Sequence, residues 1–201
     1  IEEMVNRKNL KKKYALISVY DKKNLNYLCK NLTRHNYNFI SSGSTGNKIR
    51  DIGYECMDLA KLTNFKEMFD GRVKTLNSLI YSSLLYIRDN DLHKKEFLSL
   101  KIPEIDIVIV NLYPFEKYYK KINNKEIIEM IDIGGPSLLR AASKNFKYIT
   151  PIIDINDYKK LIINLDKFRG NTDISFRKDM AGKVFKKISD YDKLIFKWFN
   201  E

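Results

Sequence analysis

The sequence predicts an α/β fold of three layers, a parallel sheet covered on both faces by helices, with further helices at the C-terminal end. Three observations carry this. Short apolar runs rich in β-branched and aromatic residues, such as those at 14–20 and 105–110, alternate with segments whose apolar residues recur at helical spacing. The two runs are largely apolar without strict alternation, the pattern of strands buried on both faces. From Asn156 to Phe199 the pattern is almost entirely helical.

Taken in order, residues 14–20 form the first strand, and Asp21 is a plausible N-cap for a helix running to about Asn36. Residues 37–41 give a second strand, 42–46 a loop, 47–52 a short helix and 54–57 a third strand. A helix is expected over 76–88. The strongest strand signal is Ile105-Asp106-Ile107-Val108-Ile109-Val110, followed by helices over 125–131 and 136–145 and a last strand over 147–153. Asn156-Asp157 and Thr172-Asp173 are start signals for the closing helices. The Lys-rich residues 1–13 read as a solvated arm, and 14–201 as one domain.

Composition narrows the function classes. No apolar run approaches the ~18 residues of a membrane span, and the basic start lacks the apolar stretch of a signal peptide, so a soluble cytoplasmic protein is expected. The net charge of +12 would favour nucleic acid, but its 29 lysines and 8 arginines are scattered without an aromatic-interleaved basic patch, so none is expected as partner. Cys29 and Cys56 have no metal-ligand spacing, and with only His35 and His93 beside them neither a disulfide nor a metal site is expected.

Five of the eight glycines fall in three loops, Ser42-Gly43-Ser44-Thr45-Gly46, Asp70-Gly71-Arg72-Val73-Lys74-Thr75 and Asp132-Ile133-Gly134-Gly135-Pro136. Glycine lets backbone N–H groups approach an anion, and the neighbouring cations and hydroxyls suit phosphate oxygens. In a parallel sheet ligands bind beyond the carboxyl ends of the strands, where Ser18 to Lys22, Ser42 to Gly46 and Asn111 to Pro114 all fall. Arg72 and Lys74, two apart, would present both cations on one side of an extended chain; an ordinary solvated turn is the equal alternative. The Ser42–Gly46 loop before a helix is a second anion candidate, without the Walker ending. Asp132 and Lys144 either share a pocket and exchange protons or sit at the two ends of the helix near Pro136, and spacing alone favours the second. Tyr113 is either a donor to a developing oxyanion or a packing residue.

Several stretches closely resemble one family: residues 17–22, 42–45, the block 62–76, Val110-Asn111-Leu112-Tyr113-Pro114-Phe115, and the block 131–145 with Asp132-Ile133-Gly134-Gly135 and Ser143-Lys144-Asn145. They are similar, in order and spacing from about 14 to 199, to the inosine monophosphate (IMP) cyclohydrolase domains that form the N-terminal part of PurH, the bifunctional purine biosynthesis proteins. The resemblance implies a fold like methylglyoxal synthase, a purine nucleotide substrate, a homodimer and no cofactor. It implies closure of the purine ring of 5-formamidoimidazole-4-carboxamide ribotide to IMP and water. On this resemblance Ser18, Asp21, Lys22, Ser42, Gly43, Thr45, Arg72, Lys74 and Thr75 hold the phosphate and ribose, and Asn111, Tyr113, Asp132 and Ile133 meet the base. Tyr20, Ser44, Val73, Val110 and Gly134 adjoin them in the substrate-binding set. Lys144 and Asp132 handle protons, and Lys74 and Tyr113 stabilise the formyl oxyanion.

The chain departs from the family pattern where His-Pro and His-Gly-Gly elements usually stand, carrying Asn77-Ser78-Leu79-Ile80-Tyr81-Ser82-Ser83 instead, and it has Ser44 for a glycine and Tyr20 for a serine. The transformylase domain that follows in the family is not expected in this chain. The competing expectation is a non-catalytic domain of the same fold binding a phosphorylated metabolite as a regulatory module.

Overall fold

The computed structural model describes residues 12–65, 68–69, 72–121 and 124–201. Five parallel strands, β1 (Lys13–Val19), β2 (Tyr37–Ser41), β3 (Cys56–Asp58), β4 (Ile105–Asn111) and β5 (Thr150–Ile152), form one sheet in the order β3-β2-β1-β4-β5. β1 is central, pairing Ala15 with Phe39 on one side and with Ile107 on the other. The strand order reverses beside β1, so the crevice for a ligand opens between the carboxyl ends of β1, β2 and β4.

The alternation of side chains along β1 explains the layers. Ala15, Ile17 and Val19 face one core with Leu25, Leu28, Cys29 and Leu32 of α1 (Leu25–Arg34) and Leu161 and Leu165 of the later helix at 158–167. Leu16 faces the other core with Ile80, Leu84, Leu138, Leu139, Val184 and Ile188. Burying both faces of a sheet this narrow is what its largely apolar central strands require.

Between the strands lie α2 (Gly43–Asp51), α3 (Leu59–Thr63), α4 (Ser78–Leu85), α5 (Asp91–Leu100), α6 (Phe115–Tyr118), α7 (Asn124–Ile128) and α8 (Gly134–Lys144). A 3₁₀ turn at Ile155–Asp157 leads into α9 (Tyr158–Lys167), and α10 (Ile174–Phe199) closes the chain. No helix among the described residues is long and apolar enough to cross a membrane.

Several boundaries differ from the sequence reading. α1 begins after Asn24, in the left-handed region, because the Asp21 carboxylate accepts the Lys23 N–H at 2.8 Å in a turn and caps nothing. The Ser42–Gly46 stretch is the N-cap and first turn of α2. α8 likewise begins at Gly134, with Pro136 in its first turn, where a missing N–H costs nothing. α5, which the sequence reading did not name, buries only Phe97. Lys13 belongs to β1 and not to an arm, and residues 1–11 lie outside the described residues. Cys29 and Cys56 are free thiols, pushed by burial up to about 12 and about 11.

Candidate functional site

A cavity of about 770 Å³ opens at the carboxyl ends of β1, β2 and β4. That volume suits a nucleotide-sized ligand. Its floor is Ser18 and Val19 at the end of β1 and Asn111 at the end of β4, with Tyr20 and Lys22 on the following loop. Two reciprocal pairs hold this floor. Thr45 Oγ1 accepts the Val19 N–H at 3.1 Å and donates to the Val19 carbonyl at 3.0 Å, fastening the first turn of α2 onto β1. Asn111 Oδ1 accepts the Asp21 N–H at 2.9 Å and its Nδ2 donates to the Asp21 carbonyl at 2.8 Å.

One wall is the N-terminus of α2 with Ser42, Ser44 and Thr45. The first N–H groups of a helix have no partner within it and attract anions. Ser42 Oγ is enclosed, has no hydrogen-bond partner and does not cap the helix. Lys74 reaches the same point, its Nζ 3.6 Å from where a Cβ on Gly43 would stand. Burial and the Lys74 charge lower the proton affinity of Lys22, so two cations press on one region.

Arg72, Lys74 and Thr75 line the cavity from a tight antiparallel turn in which Met68 and Val73 exchange backbone hydrogen bonds at 3.0 and 3.2 Å. Asp70 and Gly71 of that turn lie outside the described residues. The Arg72 guanidinium is ion-paired to Glu129, with Nε donating to Oε2 at 3.2 Å and Nη2 to Oε1.

The opposite wall is formed by Ile128 to Gly135. Asp132 is its chemical centre. The Asp132 carboxylate accepts the Gly135 N–H at 2.8 Å and the Tyr113 N–H, and Lys74 lies within its electrostatic reach. Burial outweighs these three and raises its proton affinity above that of an ordinary carboxylate. Burial, then the Asp132 charge, also raises the Tyr113 phenol, so that it stays a protonated donor. The glycines after Asp132 are fixed by space. A Cβ on Gly135 would stand 2.5 Å from Asp132 Oδ2, and one on Gly134 2.5 Å from Thr75 Oγ1.

The structure therefore gathers Ser18, Tyr20, Lys22, Ser42, Ser44, Thr45, Arg72, Lys74, Thr75, Asn111, Tyr113, Asp132, Ile133 and Gly134 around one cavity. Five other residues of the sequence reading do not line it. Val110 is core, Val73 is spent on its turn, Gly43 is the first residue of α2, and Asp21 is exposed on its loop, where its backbone is held by Asn111. Lys144 is exposed at the last position of α8. Eleven residues at 1.5 Å each separate the helix ends by about 16 Å, so the fold of the chain does not bring Lys144 to Asp132. The neighbouring Asn145 is structural, its buried amide donating to the carbonyls of Leu84 and Tyr86. Residues 77–83 do not line the cavity; Asn77 caps α4, and the Tyr81 hydroxyl donates to Ser137. Ser44 and Tyr20 do line it.

Sequence reasoning did not place Val19, Ile128, Glu129, Met130, Ile131 and Gly135 in the site set. For the stretch before Asp132 the signal was the apolar spacing of Ile127, Ile128 and Ile131, which reads as an ordinary helix.

The model of the MGS-like domain matches residues 24–137, and that of the AICARFT/IMPCHase bienzyme matches 142–201. The chain is 40% identical over 185 residues to the bifunctional purine biosynthesis protein PurH of Ruegeria sp. (strain TM1040), covering 92% of this chain and 35% of that protein. It is 45% identical over 184 residues to PurH of Clostridium botulinum (strain Hall), covering 91% of this chain and 37% of that protein. The chain thus spans a little over a third of the length of these relatives. A solved structure titled "Crystal structure of ForH" superposes with a TM-score of 0.83 at 28% identity, covering 94% of this chain and 97% of that one.

Proposed function

We propose, from the premise that this chain belongs to the MGS-like domain family and matches the AICARFT/IMPCHase bienzyme model over its C-terminal part, that its cavity closes the purine ring of 5-formamidoimidazole-4-carboxamide ribotide to give IMP. The observation that carries the reading is the pairing, in one cavity, of a cationic helix N-terminus at one end with the half-buried Asp132 carboxylate at the other.

Both reacting groups belong to one molecule, so the site has mainly to hold the reactive conformer and move protons. The phosphate sits at the α2 N-terminus, met by Ser42, Ser44 and Thr45 and by the Lys74, Lys22 and Arg72 charges. The base lies toward Asn111, Tyr113 and Asp132. The carboxamide nitrogen attacks the formyl carbon, and one C–N bond forms. Asp132, with its raised proton affinity, takes the proton from that nitrogen and returns it to the former formyl oxygen. Lys74 and the protonated Tyr113 phenol stabilise negative charge on that oxygen as it develops. The oxygen leaves as water with a second proton, from the formamide nitrogen, leaving the ring C=N bond. The chain acts as a homodimer in this reading, and Lys144, outside its own protomer's cavity, would reach a site only from a second copy.

The test is direct. The purified chain is mixed with the formylated ribotide and IMP formation is followed by absorbance. Turnover is expected, and tight binding without turnover overturns the enzymatic reading in favour of a binding module.

A further inference from the structure

We propose that Tyr191, on α10, is a positioning residue that fixes the Asp132 wall of the cavity through two opposed hydrogen bonds. Its phenolic oxygen accepts the backbone N–H of Asp132 at 2.8 Å, and its O–H donates to the carbonyl of Met130, also at 2.8 Å. The role rests on the proposed function, since Tyr191 acts only through Asp132.

Glu129 to Ile133 form the link between α7 and α8, where the Asp132 N–H and Met130 carbonyl receive no partner from a helix or a sheet. One phenol satisfies both, and it is the only kind of side chain whose single oxygen can accept from one group and donate to the other while its ring packs in a core. Burial pushes the Tyr191 phenol up to about 12, so it keeps its proton across the working range.

The ring itself is anchored. Phe115, fully buried, meets Tyr191 edge-on at 6.3 Å and Trp198 edge-on at 6.0 Å, and stacks on Tyr119 at 6.1 Å. Phe115 lies two residues after Tyr113, so this cluster ties the Tyr113 segment and the Asp132 segment to the same stretch of α10. The Tyr113 N–H then closes the triangle on the Asp132 carboxylate. The spacing of two groups assigned to the reacting end of the substrate is therefore set by a helix that contributes no residue to the cavity lining. Displacements of about 1 Å in such a wall cost on the order of 100-fold in rate.

Tyr191→Phe keeps the ring and removes both hydrogen bonds. The Asp132 amide, read by hydrogen exchange on the free chain, is expected to exchange at least about tenfold faster. The value of kcat is expected to fall about tenfold while KM moves less than about twofold, because the phosphate end is untouched. Tyr119→Phe, in the same ring cluster but without a hydrogen bond to this wall, is expected to leave all three quantities unchanged. Unaltered Asp132 exchange in Tyr191→Phe overturns the proposal, and so does a loss of kcat that Tyr119→Phe reproduces. A wild-type chain without turnover overturns the proposed function instead, and the exchange comparison still decides whether Tyr191 holds the wall.

Discussion

The Asp132 carboxylate and the Lys144 ammonium stand at opposite ends of α8, one bonded to the Gly135 N–H at 2.8 Å in its first turn, the other exposed at its last residue. The helix itself is the separator, rigid and buried along Leu138, Leu139, Ala141 and Ala142. No rotamer of Lys144 spans about 16 Å back along its own helix.

A proton-transfer role for Lys144 and this geometry hold together when a second copy presents the amine. Lys144→Ala and Asp132→Asn are each expected to lose on the order of 100-fold in kcat. If the chain is a dimer as proposed, mixing the two variants gives a hybrid in which one site has Asp132 from one copy and Lys144 from the other. Activity is expected to return to about a quarter of wild type. Assays of the mixture decide the matter, and a mixture as inactive as its parts removes Lys144 from the reaction.

Asp132 sets a pH dependence whose sign follows from burial. Its folded-state proton affinity is raised, so the base form is lost as pH falls through a value above the ordinary carboxylate range, and kcat falls with it. The stability linkage runs the opposite way. The raised group favours folding most below its unfolded pKa, and that contribution is lost as pH rises through the folded value. Asp132→Asn is therefore expected to melt higher than wild type at neutral pH, with the gain shrinking toward acid. Thermal melts at several pH values test this, and a gain that grows toward acid contradicts it.

The sheet was legible because β1 and β4 are central and buried on both faces, so their largely apolar runs leave little choice. The start of α2 was not, since Ser42 to Gly46 are poor helix formers held in a first turn by the buried Thr45 pair to Val19. α5 escaped because Leu92 and Leu98 face solvent, which blurs its period. The anion loops and Asp132 carried local signals. The supports did not: Tyr191 meets Asp132 across 59 residues and Glu129 meets Arg72 across 57, and such contacts leave no trace in spacing.

The Arg72–Glu129 ion pair occupies a guanidinium that the proposed function assigns to phosphate. Both side chains are more than half exposed, so the pair adds little to folding. Ligand phosphate and the Glu129 carboxylate compete for one fork of donors. Glu129→Gln is expected to tighten IMP binding by about two- to fivefold and leave the melting temperature unchanged, with the gain fading at high salt. Calorimetric titration at two salt concentrations measures this, and weaker binding would show that Glu129 itself contacts the ligand.

Thr45 separates the two ends of the cavity energetically. Its hydroxyl is buried and serves both the N–H and the carbonyl of Val19, so Thr45→Val keeps the shape and takes a hydrogen-bond partner from each, the carbonyl keeping Lys22 Nζ as a donor at 3.3 Å. The cost is about 1–3 kcal/mol, a loss of several degrees in melting temperature. What loosens is the α2 N-terminus, to which the proposed function assigns the phosphate, while the Asp132 wall is held independently by Tyr191 and Gly135. KM is therefore expected to rise about tenfold with kcat nearly kept, the reverse of Tyr191→Phe. Steady-state kinetics of the two variants side by side test the division, because a cavity that moved as one body would shift both constants in both.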